Sequence, residues 1–249
     1  MSRFGNIGHP VGFNALLALL RDAERFEHVD VVTLNHDLLL ESLFNSATSE
    51  GIAFCDGFTQ QDGEVRFYDD RAVADDHHIR LLKPHGSINW YLFRKHSHDP
   101  ATDRHGIPDA GKDPWHAKDK DGQWFDNLGG NPVFLVGTNK APRYATGFFG
   151  TQVSWFRRFL EQTQRIVCSG YGWRDHGMND LLFEWLYSSA DHRLVLLHDR
   201  KRIEADLLDY PGSPWLFRYG ELLNSGQLRV IPNWLCCCED AAEIIDQLL

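Results

Sequence analysis

Short apolar runs that alternate with helical patterns constrain the fold of this chain more than any other feature of its sequence. The segments that separate and follow these apolar runs have apolar residues at helical spacing. Strands that alternate with helices predict an α/β fold, with a Rossmann-like, doubly wound parallel sheet covered on both faces. The predicted strands are 29–33, 80–82, 132–136, 165–169, 193–198 and 228–231, and the predicted helices are 37–44, 149–162, 180–187, 201–208 and 241–249.

Polar segments follow three of the predicted strands directly. They are Thr-Leu-Asn-His-Asp at 33–37, the segment 82–90 with Lys-Pro-His-Gly-Ser, and the segment 168–175 with Ser-Gly-Tyr-Gly. In open parallel sheets, ligands bind beyond the carboxyl ends of the strands. We therefore expect Asn35 and His85 to lie at neighbouring strand ends and to face one cleft.

Each of these segments also has a purely structural interpretation. Asn35 or Asp37 would cap the helix that follows, since both side chains accept backbone N–H groups. His85, directly before a glycine, would be a turn residue. Glycines after a strand let backbone amides approach a ligand, but such junctions are common in this fold class.

The composition between residues 94 and 131 differs from that of the rest of the chain. His, Asp, Lys and Gly dominate, and Pro100, Pro108 and Pro114 are expected to interrupt regular structure. A long loop of this kind is typical of a lid, a binding insertion or a mobile segment. Its histidines lack a tight zinc motif, so we expect a solvated loop without zinc. They are His96, His98, His105 and His116.

Charge and cysteine content exclude several classes of function. A net charge of −10 makes direct binding of nucleic acid unexpected. No apolar stretch reaches the roughly 20 residues that span a bilayer, and 15–20 lacks the basic leader of a signal peptide. No Cys-x-x-Cys pair occurs among the cysteines, which are Cys55, Cys168 and the three contiguous residues 236–238. This pattern favours buried thiols in a reducing compartment. We expect a cytoplasmic protein.

Taken together and in order, the polar segments resemble the sirtuin-like proteins of bacteria, especially those found in antiviral defence. The motifs are Thr-x-Asn-x-Asp at 33–37, Lys-x-His-Gly-Ser-x-Asn-Trp at 83–90 and Ser-Gly-Tyr-x-x-x-Asp-x-x-x-Asn-Asp at 169–180. The resemblance extends from about Val29 to the C-terminus, and 85–90 is its most diagnostic part. It implies one sirtuin-like domain over 1–249 with an insertion at 94–131, and NAD as substrate or ligand.

The resemblance also implies roles for individual residues in cleaving the bond between nicotinamide and ribose. His85 would be the base that acts on the ribose hydroxyls, Asn35 would hold ribose or water, and Asp37 would orient the loop or steady the cation. His198, or Asp199 beside it, would bond the adenosine ribose. The residues implied to bind the cofactor are Thr33, Gly86, Ser169, Gly170, Tyr171 and His198.

Two features of the family have no counterpart here. The deacylating members carry two Cys-x-x-Cys pairs for a structural zinc, so protein deacylation is disfavoured. The Gly-Ala-Gly-x-Ser turn that cradles the pyrophosphate is not found either, since the glycines of 5–12 follow no predicted strand. Either the first βα unit was lost or another segment replaces it. Orientation contributes roughly 7–11 kcal/mol to catalysis, so we expect this chain alone to hydrolyse NAD slowly.

The function that the resemblance favours is NAD hydrolysis with release of nicotinamide, in bacterial defence. A non-catalytic module that binds a nucleotide or a partner protein is the alternative, favoured by the missing glycine turn. The resemblance further implies a regulatory or defence partner protein, and it leaves a homo-oligomer open.

Overall fold

The computed structural model describes residues 14–21, 26, 28–48, 53–74, 79–95, 99–137, 140–198, 203, 213–235, 244 and 246. Over these residues the chain is a mixed α/β protein with both parallel and antiparallel sheets. The described helices are α1 (Asn14–Arg21), α2 (Leu39–Thr48), α3 (Asp70–Ala74), α4 (Gly147–Gln162), α5 (His176–Ser188) and α6 (Pro214–Asn224). Short 3₁₀ turns occupy Pro100–Thr102 and Ala141–Ala145.

The described strands belong to three sheets. They are β1 (Val29–Val32), β2 (Phe58–Asp62), β3 (Val65–Tyr68), β4 (Ile79–Leu82), β5 (Tyr91–Arg94), β6 (Arg104–Pro108), β7 (Asp126–Asn127), β8 (Arg165–Ser169), β9 (Arg193–Leu197) and β10 (Leu228–Ile231). The chain forms two compact units, one of Met1–Asp22 with Arg157–Leu249 and the other of Ala23–Phe156.

A parallel pair, β1 with β4, lies in the unit Ala23–Phe156, with Val29 opposite Ile79. All four residues of β4 are buried, as expected of an apolar strand in a parallel sheet. Its one charge, Arg80, is paired across the strands with Asp30, at 2.6 Å from Nε to Oδ1 and 2.9 Å from Nη2 to Oδ2. This two-pronged geometry satisfies both buried groups. The parallel pairing places the carboxyl ends of both strands at one edge.

A five-stranded antiparallel sheet in the same unit has the order β2-β3-β6-β5-β7. In β3, Val65 and Phe67 are buried while Arg66 and Tyr68 are less so, which is the two-residue period of a half-buried strand. The side chains that pack on this side of the sheet are Val65, Phe67, Phe93, Ala117 and Phe125.

This antiparallel sheet corrects two predictions. The described sheets are not parallel throughout, and the segment 94–131 is not wholly irregular, because β6 and β7 belong to the sheet. Pro108, expected to interrupt regular structure, is the last residue of β6 and is paired with Val65. Proline is tolerated at the end of a strand, where the ladder does not need its missing N–H.

A three-stranded parallel sheet of order β10-β9-β8 lies in the unit of Met1–Asp22 with Arg157–Leu249. Residues 194–197 of β9, the central strand, are buried. Helix α5 begins after Asp175, whose side chain accepts the backbone N–H of Met178 at 3.1 Å. This is the capping arrangement that favours a helix start. The core beside the sheet contains Ala15, Val195, Leu197, Ile231 and Ile244.

Five predicted strands and the helix 149–162 are confirmed to within two residues, and the helices 37–44 and 180–187 are confirmed with one end displaced by four residues. The segment 132–136 is not a strand. It makes an isolated antiparallel bridge between Phe134 and Gly86 instead. The predicted helices at 201–208 and 241–249 lie outside the described residues, apart from Ile203, Ile244 and Asp246. In the part of the chain that is described, no helix is both long and apolar enough to cross a membrane.

Candidate functional site

Two loops meet at the carboxyl edge of β1 and β4. Thr33 N donates to Leu82 O at 3.0 Å and extends the parallel ladder by one bond. Beyond it, His36 O accepts the backbone N–H of Ile88 at 2.9 Å and the hydroxyl of Ser87 at 3.2 Å. The loop that carries Asn35 and Asp37 and the loop that carries His85 therefore lie side by side, at neighbouring strand ends.

A buried lysine ties the two loops together. The side chain of Lys83 is 2% exposed, and its ammonium donates to the backbone oxygen of Asp37. It also donates to Glu41 Oε1 at 2.8 Å and to Ser87 Oγ at 3.0 Å. An ammonium has three N–H donors, so these three acceptors use all of them. Sequence analysis assigned no role to Lys83, although it lies within the quoted motif.

Gly86 allows a close approach of two backbone segments. Its φ is +81°, and a Cβ at this position would lie 2.2 Å from Val133 O. The turn is closed by Gly86 N, which donates to Lys83 O at 2.9 Å, and Ser87 N donates to Val133 O at 3.1 Å. Glycine is required here because only it combines this φ with the missing Cβ.

The imidazole of His85 is engaged through both nitrogens and is 2% exposed. Nε2 lies 2.7 Å from Tyr144 Oη, and Nδ1 lies 3.2 Å from Lys140 Nζ. The Tyr144 ring is stacked on the imidazole at 6.0 Å between centroids. A lysine ammonium only donates, so Nδ1 is the acceptor and the neutral ring carries its proton on Nε2.

Lys140 and Tyr144 were missed by sequence analysis. They lie 55 and 59 residues along the chain from His85. Tyr144 lies in the 3₁₀ turn, which has a proline near its start and no recognisable motif. No local pattern in the sequence signals a contact over this distance.

His36 is a second imidazole at this edge, 6.2 Å from that of His85 between ring centroids. Its Nε2 is buried without a hydrogen-bond partner. The pKa of His36 lies below its ordinary value because burial disfavours the charged ring. Electrostatic interactions with His85, Lys140 and Lys83 lower this pKa further, and the backbone of Leu135 has the opposite effect.

The other residues predicted for this edge have more exposed positions. The backbone N–H of Asn35 donates to Thr33 Oγ1 at 3.1 Å, and the residue itself is exposed. Asp37 is also exposed, and its Oδ1 accepts the N–H of Leu39, the first residue of α2, at 3.0 Å. The helix-capping interpretation of Asp37 is therefore confirmed.

Three predicted cofactor residues, Ser169–Tyr171, lie at the carboxyl end of β8, in the unit of Met1–Asp22 with Arg157–Leu249. Ser169 Oγ accepts the N–H of Leu235 at 3.0 Å, and the hydroxyl of Tyr171 donates to Asn179 Oδ1 at 2.6 Å. Gly170 between them is exposed, has φ +70°, and has open space around an added Cβ. The two side chains hold this loop in shape, and Gly170 presents its backbone.

His198 follows β9, the strand beside β8 in the same sheet. It is 4% exposed, and its ring lies 4.8 Å from that of Trp234. Its backbone N–H donates to Ile231 O at 3.1 Å. Asp199, the alternative to His198, lies outside the described residues.

The two described histidines of the 94–131 segment have separate surroundings. His105 is stacked on Phe148 at 3.9 Å between centroids, and His116 Nδ1 lies 2.5 Å from Asp113 Oδ2. His96 and His98 lie outside the described residues. Among the residues that are described, no group of three or more His, Cys, Asp or Glu could hold a metal ion.

Acidification below pH 6.5 is expected to destabilise the chain through His105. Burial lowers the pKa of His105 to about 4, from an ordinary 6.5. The unfolded chain therefore binds the proton first, and this contribution to stability is complete above pH 6.5 and is lost as the pH falls towards 4. The gap between the two pKa values corresponds to at most about 3 kcal/mol.

Urea unfolding of the wild type and of His105→Gln between pH 4.5 and 7.5 measures this contribution. The variant should lose less stability on acidification than the wild type does. His116→Gln, at an exposed position, should follow the wild type. Parallel pH profiles for the wild type and His105→Gln would show that His105 titrates normally in the folded chain.

No protein-family model matches this sequence, and no curated protein matches it. What this site can do chemically is therefore inferred from the geometry of the two loops that follow β1 and β4.

Proposed function

We propose that this chain binds NAD and cleaves its bond between nicotinamide and ribose with water, at the two loops that follow β1 and β4. The observation that carries the proposal is the junction of these loops, where His36 O accepts the N–H of Ile88 at 2.9 Å. The junction sets two imidazoles 6.2 Å apart, in the same loops as the exposed Asn35. An amide that can hold a hydroxyl or water and an imidazole that can exchange a proton suit this hydrolysis.

The reaction needs few functional groups from the protein. Cleavage passes through an oxocarbenium-like transition state, as in glycoside hydrolysis. Nicotinamide leaves as a neutral molecule, so no acid has to protonate it. The site must hold the ribose, place a water near C1′ and take up the proton that this water releases. Asn35 would hold ribose or water, and an imidazole at this edge would take up the proton.

We also propose that the chain has the doubly wound, Rossmann-like fold of sirtuin-like proteins. Parallel pairing of β1 with β4 and of β8, β9 and β10 supports this fold. In such folds the loops beyond the carboxyl ends of the strands bind the nucleotide.

Asn35→Ala is expected to reduce the turnover of NAD about 100-fold, because a misplaced ribose or water costs this much. The exposed side chain can be removed while the backbone bond to Thr33 remains. The assay incubates purified protein with NAD and measures free nicotinamide and ADP-ribose after chromatographic separation. Asn45→Ala, an exposed position on α2, is the matched control and should keep wild-type turnover.

One observation favours a second function, a module that binds a nucleotide without cleaving it. Both nitrogens of His85 are already bonded, and Asp37 caps a helix, so neither is poised for catalysis as the resemblance implies. Calorimetric titration with NAD separates the two functions. Binding with no release of nicotinamide supports the binding module, and the absence of binding rejects NAD as the ligand.

A further inference from the structure

We propose that the 3₁₀ turn Ala141–Ala145 closes this site until NAD displaces it, with Tyr144 in the place on His85 that a ribose hydroxyl of NAD would take. The inference rests on the proposed function and concerns the regulation of the same site. It follows from two contacts that one short segment makes with His85, and from the conformation of that segment.

Tyr144 offers His85 the same kinds of group that a nicotinamide riboside would offer. Its hydroxyl lies 2.7 Å from Nε2, and its ring is nearly parallel to the imidazole, with 11° between the two planes. Nicotinamide riboside likewise combines an aromatic ring with hydroxyl groups. Because Nε2 carries the ring proton and donates it to Tyr144 Oη, a ribose hydroxyl reaches this nitrogen only after Tyr144 has moved away.

Lys140 blocks the other nitrogen of the same ring. Its ammonium lies 3.2 Å from Nδ1, and an ammonium only donates, so it uses the one lone pair of the neutral imidazole. An imidazole in this state has no lone pair with which to accept a proton from water or from a ribose hydroxyl. While both contacts are in place, His85 can neither contact the ribose nor act as a base. Departure of Lys140 and Tyr144 would restore both abilities.

The turn that carries Tyr144 is held by little of its own surface. All five residues of Ala141–Ala145 are described, and none of them is buried. The bond from Arg143 N to Lys140 O, at 2.8 Å, lies within the segment and would move with it. Gly147, at the start of α4, has φ +63° and open space around an added Cβ. Such segments open at low cost in free energy, and a residue at the end of an element can absorb the change in backbone angles.

The loop that carries His85 is held by contacts of its own. The backbone oxygen of His85 accepts the N–H of Leu135 at 2.8 Å, and Gly86 forms the isolated bridge with Phe134. The ammonium of Lys83 joins this loop to the one after β1. We therefore expect the imidazole of His85 to stay at the carboxyl edge of β1 and β4 when the turn moves away.

Tyr144→Phe tests the closure, because phenylalanine keeps the ring and loses only the hydroxyl that contacts Nε2. We expect the dissociation constant of NAD, measured by calorimetric titration, to fall by about 2–10-fold, the worth of one hydrogen bond that no longer competes with the ligand. Nicotinamide release at subsaturating NAD should rise by a similar factor. Tyr187→Phe removes a hydroxyl that accepts from Arg218, and this control should keep both wild-type values.

Tyr144→Phe combined with Lys140→Met removes both contacts with His85. The double variant should bind NAD more tightly than either single variant does. Nitrogen-15 NMR of the imidazoles, recorded without NAD, gives a readout that needs no turnover. His85 should carry its proton on Nε2 in the wild type, and it should show a mixture of both tautomers in the double variant, where neither contact fixes the proton.

The outcomes separate this inference from the proposed function. If the wild type binds or cleaves NAD and neither Tyr144→Phe nor the double variant binds it more tightly, the inference is overturned and the proposed function stands. A loss of nicotinamide release by Tyr144→Phe at saturating NAD also overturns it, because Tyr144 would then assist the reaction. Tighter binding in both variants supports the closure, with or without turnover. If neither the wild type nor the double variant binds NAD, the proposed function fails and the inference fails with it.

Discussion

Lys83→Met is expected to lower the free energy of unfolding by about 3–5 kcal/mol, the usual cost of removing one partner of a buried ion pair. The ammonium of Lys83 is bonded to Glu41 Oε1, Ser87 Oγ and the backbone oxygen of Asp37. Methionine fills a similar volume but donates no hydrogen bond. The carboxylate of Glu41 would then be buried without a cation. Chemical denaturation at pH 7 measures the loss.

Two further variants show whether the loss comes from the uncompensated charge. Lys83→Met combined with Glu41→Gln removes both charges and should recover part of the lost stability. Lys112→Met breaks an exposed pair with Glu64 and should leave the free energy of unfolding nearly unchanged. If Lys83→Met is as mild as Lys112→Met, Lys83 does not hold the two loops together.

Gly86→Ala is expected to cost about 2–5 kcal/mol, because two effects add. A left-handed conformation costs a residue with a side chain about 1–3 kcal/mol, and φ at this position is +81°. The new Cβ would also meet Val133 O at 2.2 Å, and relief of such a contact requires the backbone to move. Thermal or chemical unfolding of the purified variant measures the sum.

Gly111→Ala is the matched control for this prediction. Gly111 has φ +78°, close to that of Gly86, but nothing lies within 4 Å of an added Cβ. The control should therefore show only the conformational cost, and the difference between the two variants isolates the contact with Val133. Equal losses would mean that the turn relaxes and that the close approach of the two segments is not needed.

Local patterns predicted the elements that depend on local sequence. The apolar run at 193–198 became a strand because buried parallel strands are apolar along most of their length, and residues 194–197 are buried. The β-branched run at 29–33 became β1, in which Asp30 is paired with Arg80 of β4. Helix α4 was predicted because apolar residues recur along one of its faces. The polar loops after β1 and β4 lie together because parallel neighbours end at one edge.

The antiparallel sheet was not predictable in the same way. Its strands β6 and β7 lie in a segment rich in Asp, His and Gly, whose composition is typical of a loop. They are strands because pairing with β3 and β5 buries the Phe93 and Phe125 side chains. Tertiary burial of this kind overrides local propensity, and sequence periodicity does not report it.

The candidate site shows the same limit at the level of single atoms. The motifs identified the loops but not the state of their side chains. Whether an imidazole nitrogen has a hydrogen-bond partner depends on residues such as Lys140 and Tyr144, which lie more than 50 residues along the chain from His85.

An NMR titration of the labelled protein with NAD tests the central claim most directly, that the loops after β1 and β4 form one ligand site. Backbone amides of 33–37 and 85–89 should shift together and saturate with a single dissociation constant. Amides of Val65–Tyr68, in the antiparallel sheet, should not move with them. Shifts confined to other parts of the chain, or no shifts at saturating NAD, would contradict the account.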